Sequence, residues 1–243
     1  MSPPDPGDPY TFLLPALSPP PFPRGRTALL VVDMQYLDAS PDHGWGRRLR
    51  EQGKFDLAAP FFERLSTRVI PNLRALLSGA RRNRLEVVFV RIAAQKSDLS
   101  DASPHYRLRG FDSTLGSVEA QILAEIAPRE GEIVLSKTST GAFATTALDQ
   151  TLRNLGVEML IVAGVNTDAC VEMTCRDAAD RGYWVVAVED ACAALGGEER
   201  HQQALKRLDQ GVVSLASTEE VVHRMDAVGG VRADGPRGPS PST

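Results

Sequence analysis

The chain has 243 residues, of which 42% are hydrophobic and 24% charged, enough apolar material for one soluble globular domain or two small ones. Its 27 Lys and Arg against 31 Asp and Glu give a formal charge of −4, which argues against a general nucleic-acid-binding protein because no basic excess neutralises phosphates. No apolar run approaches the roughly 20 residues that cross a bilayer, and the first residues lack a secretory signal's basic-then-apolar order, so we expect no membrane partner and a cytoplasmic location.

The chain begins with a proline-rich arm, residues 1–25. Nine of the 17 prolines in the whole chain fall within residues 1–24, where helix and central strand are disfavoured. The arm also carries apolar side chains between Tyr10 and Leu17, so we predict a homo-oligomer in which it crosses a subunit boundary. Residues 229–243 hold Gly, Pro and Ser with almost nothing to bury and are predicted to be a disordered tail. Residues 26–228 remain as the domain.

Within this domain, short β-branched apolar runs alternate with longer segments of helical period. Continuous apolar runs are typical of a parallel sheet covered on both faces. The predicted strands are Ala28–Val32, Glu86–Arg91, Glu132–Leu135, Met159–Ala163, Trp184–Val188 and Val212–Leu215. The predicted helices are Phe61–Arg82, Ser117–Ile126, Ala142–Leu155, Ala169–Arg181, Glu198–Leu208 and Thr218–Met225. This order predicts an α/β fold, a three-layer αβα sandwich around a mostly parallel, Rossmann-like sheet of six strands.

Three reactive side chains follow strands of this sheet. Asp33 comes directly after the first strand, Lys137 two residues after the third, and Cys170 seven residues after the fourth. Ligands of such sheets bind beyond the carboxyl ends of the strands, where these side chains would converge. A thiol with a base and a cation beside it is suited to nucleophilic catalysis. Singly, each residue has a plainer interpretation as a turn former, a solvated cation or a packing residue.

The other cysteines are assigned to packing. An odd count of three in a chain of this length predicts free thiols rather than a disulfide framework. Cys170 and Cys175 would lie about 140° apart around a helix, so they could not easily share a metal ion. Cys192 is likewise interpreted as a small buried residue.

The residues around these positions resemble a known family. The segments ALLVVDMQ around Asp33 and KTSTGAFATTALDQTLRNLGVEMLIVAGVNTDACVEMTCRDAADRGYWVVAVEDACAAL after it closely resemble the isochorismatase-like cysteine hydrolase superfamily. Its members include nicotinamidases, N-carbamoylsarcosine amidases, biuret and ureidoacrylate hydrolases, and isochorismatases. The resemblance covers most of residues 26–217 and is thin between 38 and 130. It implies the isochorismatase-like fold and a dimer or tetramer.

The resemblance also implies roles for the three reactive residues. Cys170 matches the family's nucleophile, Asp33 the acid/base and Lys137 the electrostatic partner. A cis peptide is implied between Val165 and Asn166, which would turn the Asn166 N–H toward the substrate oxygen beside the N–H of Cys170, as an oxyanion hole. The metal-binding members carry histidines after the second strand, but Arg91 is followed by Ile-Ala-Ala-Gln, so neither metal nor cofactor is expected.

The predicted activity is cleavage of a C–N bond in a small amide or ureido compound through a thioester. Isochorismatases proper cleave a vinyl ether and need no thiol, so Cys170 favours the amidohydrolase branch. Ether hydrolysis and an inactive binding or scaffold protein of the same fold stay open as alternatives.

Five further residues are candidates for binding substrate. Gln35 lies beside Asp33, and Phe143 would open the helix after Lys137. Residues 38–65 form an unusually long connection, predicted to be a lid that brings Trp45 onto the substrate. A second long connection, residues 94–116, would bring Arg107 and Arg109 to the same edge, where a guanidinium could pair with a carboxylate. The plainer alternative is that the aromatic residues pack and the arginines lie in solvent.

Overall fold

A computed structural model describes residues 20–209 and 213–229. Most of the arm and nearly all of the C-terminal tail lie outside these residues, so the predictions about them stay predictions. Where the arm's last residues are described, Phe22 is buried beneath the guanidinium of Arg224, which also donates to the carbonyl of Pro20. This end of the arm therefore packs on the body of its own chain.

Six strands form one sheet in which every pairing is parallel. They are β1 (Thr27–Val32), β2 (Glu86–Ile92), β3 (Ile133–Lys137), β4 (Met159–Val165), β5 (Trp184–Ala193) and β6 (Ser214–Ala216). Their order across the sheet is β3-β2-β1-β4-β5-β6. Since β1 lies between β2 and β4, all six of its residues are buried, as its continuous apolar run predicts.

Helices cover both faces of the sheet. They are α1 (Tyr36–Ala39), α2 (Gly44–Glu51), α3 (Ala59–Arg64), α4 (Ile70–Arg82), α5 (Pro104–Leu108), α6 (Leu148–Asn154), α7 (Glu172–Asp180), α8 (Glu198–Leu208) and α9 (Thr218–Gly229). Leu29 and Val31 pack on the face that α4 and α9 cover, whereas Leu30 and Val32 pack on the face of α6 and α7. The predicted three-layer α/β fold is confirmed. No helix among the described residues has the length and apolarity to cross a membrane.

Two predicted helices are wrong in part. Residues 117–126 form two isolated 3₁₀ turns, because Ile122 between them bridges to Gln35 and the Leu123 N–H donates to the Met34 carbonyl. The helix predicted from residue 142 begins only at Leu148. Before it, the Thr146 hydroxyl bonds both the Ala142 carbonyl and the Leu148 N–H, an alternative to helical pairing that threonine offers.

The long connection after β1 is largely helical rather than a loop. It contains α1, α2, a 3₁₀ turn (Phe55–Leu57) and α3, and α3 continues through a π-helical turn (Leu65–Val69) into α4. Phe61 and Phe62 are buried in the core, so these two aromatic residues of the predicted lid serve packing. Helix α1, with Asp38, and helix α2, with Trp45, reach the edge where β1 ends.

Candidate active site

The structure places the three reactive side chains at one edge of the sheet. Asp33 follows β1, and Lys137 is the last residue of β3 rather than two residues beyond it. Cys170 lies in a π-helical turn, Thr167–Val171, that leads from β4 into α7. Because β1, β3 and β4 run parallel, their carboxyl ends face the same side, and the three side chains meet there.

Lys137 is the centre of this cluster. Its Nζ lies 2.9 Å from Asp33 Oδ2 and 3.4 Å from Cys170 Sγ. It also donates to the Ser139 carbonyl at 3.0 Å and to the Tyr106 hydroxyl at 3.2 Å. Lys137 is fully buried and Asp33 is 1% exposed, whereas Cys170 is 7% exposed. The thiol is thus the member of the cluster that reaches open space.

The backbone around Asp33 is specialised to hold this geometry. Asp33 has a left-handed conformation with φ of +52°, which Asp tolerates better than most side chains, and its N–H donates to the Val90 carbonyl at 2.8 Å. Neighbouring β4 approaches through Gly164, where a Cβ would overlap the carbonyl oxygen of Val32. Glycine therefore allows β4, and with it the nucleophile, to lie directly against the end of β1.

Burial and charge set the protonation states of the cluster. Burial raises the pKa of the Asp33 carboxyl above its usual value, and the Lys137 ammonium opposes that shift. Burial also raises the pKa of the Cys170 thiol well above its usual range, again opposed by Lys137. For Lys137, burial alone would lower the pKa, but the negative charge of Asp33 outweighs it and raises the pKa. The 2.9 Å ion pair with Lys137 favours the ionised form of Asp33, so the resting site holds a thiol, an ammonium and a carboxylate.

Tyr106 is a member of the site that the sequence analysis missed. Its hydroxyl accepts from Lys137 and lies 4.0 Å from Cys170 Sγ, and its side chain is 4% exposed. Burial raises its pKa, so the phenol stays protonated. Tyr106 lies in α5 within the second long connection, where the family resemblance is thin and no motif marks it.

A residue of helix α8, His201, holds the turn Thr167–Val171, which carries the nucleophile, in place. His201 is buried, with Nδ1 2.8 Å from Thr167 Oγ1 and Nε2 2.9 Å from a nitrogen of Arg64. Arginine can only donate, so Nε2 accepts and the Nδ1 proton points to Thr167. Burial lowers the pKa of His201 to about 4, which keeps the ring neutral.

Asn166 stands at the start of the same segment. The peptide between Val165 and Asn166 is cis, as the resemblance implies. The side-chain amide oxygen of Asn166 accepts from the Leu195 N–H at 2.7 Å. The backbone carbonyl of Asn166 accepts from the N–H groups of Ala169 and Val171. Asn166 and Cys170 therefore border the same open space with their relative positions held by hydrogen bonds.

That space is a cavity of about 490 Å³, a size suited to a small molecule. Its lining combines apolar and aromatic side chains with a few charged groups. The residues are Asp38, Trp45, Ile92, Tyr106, Arg109, Phe111, Thr140, Asn166, Asp168, Ala169, Cys170, Leu195, Gly196 and Arg200.

Aromatic residues from both long connections form one wall of the cavity. The Trp45 ring meets Phe111 edge to face at 4.9 Å, and Phe111 stacks on Tyr106 at 4.1 Å. An ion pair of 2.6 Å between Arg48 and Asp112 joins the same two connections. Trp45 thus borders the cavity as predicted, while its role as a lid stays a prediction.

Two predicted substrate-binding residues do not reach the cavity. Gln35 is fully buried, because its amide donates to the carbonyls of Ile92 and Glu119 and accepts from the Ile92 N–H. It joins β2 to the connection after it and has a structural role. Phe143 precedes α6 rather than opening a helix, and it packs in the core beside Tyr183.

The two predicted arginines differ in position. Arg109 lines the cavity and is exposed, and no carboxylate among the described residues pairs with its guanidinium. Arg107, two residues earlier on α5, is exposed outside the cavity, so its prediction is wrong. Arg200 of α8 was not predicted; it lines the cavity with its guanidinium 3.7 Å from Asp168.

The donor set of the site is poor in metal ligands. Within residues 20–209 and 213–229, no three His, Cys, Asp or Glu side chains form a group that could hold a metal ion. The cavity lining contains two carboxylates and one thiol but no histidine. The absence of metal and cofactor stays an expectation from the sequence. All three cysteines are free, and Cys175 and Cys192 are fully buried.

Comparison with known proteins identifies relatives of this chain. The model of the isochorismatase domain family matches residues 27–220. The ureidoacrylate amidohydrolase RutB of Variovorax paradoxus (strain S110) is 32% identical over 209 residues, which is 79% of each chain. Most of the described domain is therefore shared with a characterised type of enzyme.

Solved structures share the fold. A cysteine hydrolase from Pseudomonas syringae pv. phaseolicola 1448A superposes with a TM-score of 0.71 at 24% identity, over 86% of this chain and 96% of that one. N-carbamoylsarcosine amidase from Thermoplasma acidophilum superposes with a TM-score of 0.59 at 25% identity, over 80% and 97%. At 24% identity, the similarity to the cysteine hydrolase from Pseudomonas syringae shows a shared fold only.

Proposed function

The chain belongs to the isochorismatase family and is a hydrolase of C–N bonds other than peptide bonds, and on that premise we propose that it cleaves a small amide or ureido compound through a thioester on Cys170. The observation that carries this proposal is the position of Lys137 Nζ, 2.9 Å from Asp33 Oδ2 and 3.4 Å from Cys170 Sγ, with Cys170 lining the cavity. A thiol, a base and a fixed cation in contact are what covalent catalysis by cysteine requires.

Attack begins with proton transfer from the Cys170 thiol to the Asp33 carboxylate. The thiol has a raised pKa, so it needs this base when substrate arrives. Lys137 stays protonated and stabilises the thiolate as it forms a bond to the substrate carbon. The negative charge then moves to the carbonyl oxygen, where the N–H groups of Asn166 and Cys170 would bind it.

Collapse of the tetrahedral intermediate breaks the C–N bond and leaves an acyl or carbamoyl group on sulfur. Asp33 returns its proton to the departing nitrogen, which leaves as ammonia or an amine. A water molecule then attacks the thioester while Asp33 accepts one of its protons, and that proton returns to the departing sulfur. The acid product leaves and the site regains its resting state.

The cavity favours a flat substrate that carries a negative charge. Trp45, Phe111 and Tyr106 offer an aromatic wall to a planar group. Arg109 supplies a cation that pairs with no carboxylate among the described residues, and a guanidinium binds a carboxylate with two hydrogen bonds. A ureido or amide acid has both features, as does the ureidoacrylate in the name of the relative from Variovorax paradoxus.

The direct test of this function is ammonia release by the purified chain. The panel contains ureidoacrylate, N-carbamoylsarcosine, nicotinamide, biuret and isochorismate. We expect ammonia from a ureido or amide acid and no pyruvate from isochorismate. Pyruvate release without ammonia would establish the ether hydrolase, and inactivity on the entire panel would favour the scaffold alternative.

Arg109 gives a second prediction with a matched control. Arg109→Gln removes the unpaired cation of the cavity, so KM for a carboxylate-bearing substrate should rise about tenfold or more with little change in kcat. Arg107→Gln removes an equivalent exposed charge two residues earlier, in α5 and outside the cavity, and should leave KM unchanged. Steady-state kinetics at fixed ionic strength check both. Equal KM values for the two variants would contradict carboxylate binding by Arg109.

The proposal also covers the substrate class, the assembly and the location of the enzyme. The substrate is a small molecule. We propose a homo-oligomer, a dimer or tetramer, joined through the arm, and a cytoplasmic location.

A further inference from the structure

Asp38 is a carboxyl of the cavity wall that the proposed reaction does not use. It lies in α1, five residues after Asp33, and is 4% exposed. Its side chain borders the cavity together with Trp45 and Tyr106. Carboxyl groups are rarely buried to this degree without a partner, so the position needs a physical explanation.

The two oxygens of Asp38 have different surroundings. Oδ1 accepts a hydrogen bond of 3.1 Å from the indole Nε1 of Trp45. Oδ2 is buried and has no hydrogen-bond partner among the described residues. Nearly all buried polar atoms in native proteins are paired, and the exceptions mark water or ligand positions.

The neighbours of Asp38 disfavour its negative charge. Burial and the like charge of Asp33 together raise the pKa of Asp38 to about 8, although Lys137 and the hydrogen bond from Trp45 act in the opposite direction. Lys137 is already paired with Asp33 at 2.9 Å, so it does not neutralise a second carboxylate. Asp38 is therefore a neutral acid at pH 7. Because Oδ1 accepts from Trp45, the proton resides on Oδ2.

Other charged groups packed around α1 have partners of their own. His43, just before α2, bonds the Ser40 hydroxyl at 3.0 Å, and Arg48 of α2 pairs with Asp112 at 2.6 Å. In the turn after the second connection, Glu119 faces Arg47 at 3.5 Å. The Cys170 thiol and the Tyr106 phenol, both neutral at rest, line the same cavity, as do the charged residues Arg109, Asp168 and Arg200. The Asp33 and Lys137 pair thus dominates the field at Asp38.

We propose that Asp38 is a substrate-binding residue, whose Oδ2 hydroxyl donates to a carbonyl or carboxylate oxygen of the substrate other than the oxygen of the scissile carbonyl. This role of Asp38 rests on the proposed function, because the molecule that Asp38 binds is the substrate on which Cys170 acts. It narrows the substrate class to amide or ureido compounds with a second acceptor oxygen. Ureidoacrylate and N-carbamoylsarcosine both carry one and serve as probes.

The first arm of the test measures whether Asp38 is neutral. A group with a raised pKa keeps its proton in the native state while the unfolded chain releases it above about pH 4, so stability falls as pH rises from about 4 to about 8. Asp38→Asn keeps the acceptor for Trp45 and cannot ionise. Its Tm should equal that of the wild type at pH 4 and exceed it increasingly up to pH 8. Asp42→Asn, at an exposed site of the same segment, should follow the wild type throughout.

The second arm measures binding in a Cys170→Ala background, where turnover does not interfere. Calorimetric titration with each probe at pH 7 should give a Kd at least about tenfold higher for Asp38→Leu than for the parent. Asp38→Asn, which retains a neutral but weaker donor, should lose less affinity. The parent should weaken above pH 8 as the Oδ2 proton is lost, whereas Asp38→Asn should show no such change.

These outcomes separate the two proposals. Ammonia release by the wild type together with unchanged probe affinity in Asp38→Leu would overturn the role of Asp38 alone. Probe binding that depends on Asp38 without any ammonia release would overturn the hydrolytic function alone. Identical Tm curves for Asp38→Asn and wild type, or no binding of either probe to the parent, would also overturn the role of Asp38.

Discussion

Replacing Cys170 by alanine is expected to reduce ammonia release by a factor on the order of 10⁴ or more, because the variant has lost the only group that forms the covalent bond to substrate. The thiol is small, and removing it takes little from the packing of the core. The variant should therefore unfold at nearly the wild-type temperature. Steady-state kinetics and thermal unfolding of the same preparation check both statements.

Cys175→Ala is the matched control for this variant. It removes a thiol from the helix that follows the nucleophile, but one that is fully buried and does not line the cavity. Its kcat should stay close to wild type while its stability falls slightly through lost packing. Turnover by Cys170→Ala at a rate near that of Cys175→Ala would contradict the nucleophilic role.

Replacing Lys137 by methionine is expected to lower kcat roughly 10²- to 10³-fold, because the thiolate and the tetrahedral oxyanion form without the cation 3.4 Å from sulfur. Methionine fills much of the same volume, so the loss is mainly one of charge. Unfolding should also cost about 3–5 kcal/mol less at neutral pH, since a buried carboxylate is left without its partner.

The pH dependence of this stability loss has a definite sign. Without Lys137, the pKa of the buried Asp33 carboxyl rises further above that of the unfolded chain. The penalty is then absent below about pH 4 and grows as pH rises toward the folded pKa. Chemical denaturation between pH 4 and 8 measures it.

A double variant distinguishes electrostatics from packing. Asp33→Asn combined with Lys137→Met removes both charges, so much of the lost stability should return while activity stays absent. If the double variant is less stable than Lys137→Met alone, the loss reflects packing around the lysine stem instead. Coupling between the two positions is the expected result for residues in direct contact.

Local sequence signals were sufficient for the sheet and for the reactive residues at its edge. The runs that became β1 and β4 are apolar throughout because both faces of those strands are covered, and this pattern has few alternatives. In a parallel sheet, residues that directly follow such strands must emerge at one edge. Asp33 directly follows β1, and Lys137 at the end of β3 and Cys170 in the turn after β4 lie at the same edge, so the strand assignment predicts that they meet, although their roles remain proposals.

The residues of the cavity wall could not be predicted from local sequence patterns, because contacts between residues far apart in the chain determine them. Tyr106 and Asp38 belong to the connections after β2 and β1, whose courses are fixed by pairings between distant residues such as Trp45 with Phe111. Gln35 was misassigned because adjacency to Asp33 along the chain does not determine direction: successive side chains point to different sides, and Gln35 turns toward β2. Phe143 was misassigned with its helix, which begins five residues later.

The central claim, that the Cys170 thiol performs the chemistry, is tested most directly by site-resolved alkylation. The wild-type chain is treated with substoichiometric iodoacetamide, and peptide mass spectrometry measures modification at each cysteine while ammonia release is assayed in the same sample. Cys170 borders the cavity and the other two thiols are fully buried, so modification should concentrate at Cys170. Activity should fall in direct proportion to the alkylated fraction of Cys170. Full activity in protein alkylated completely at Cys170 would exclude this thiol as the nucleophile.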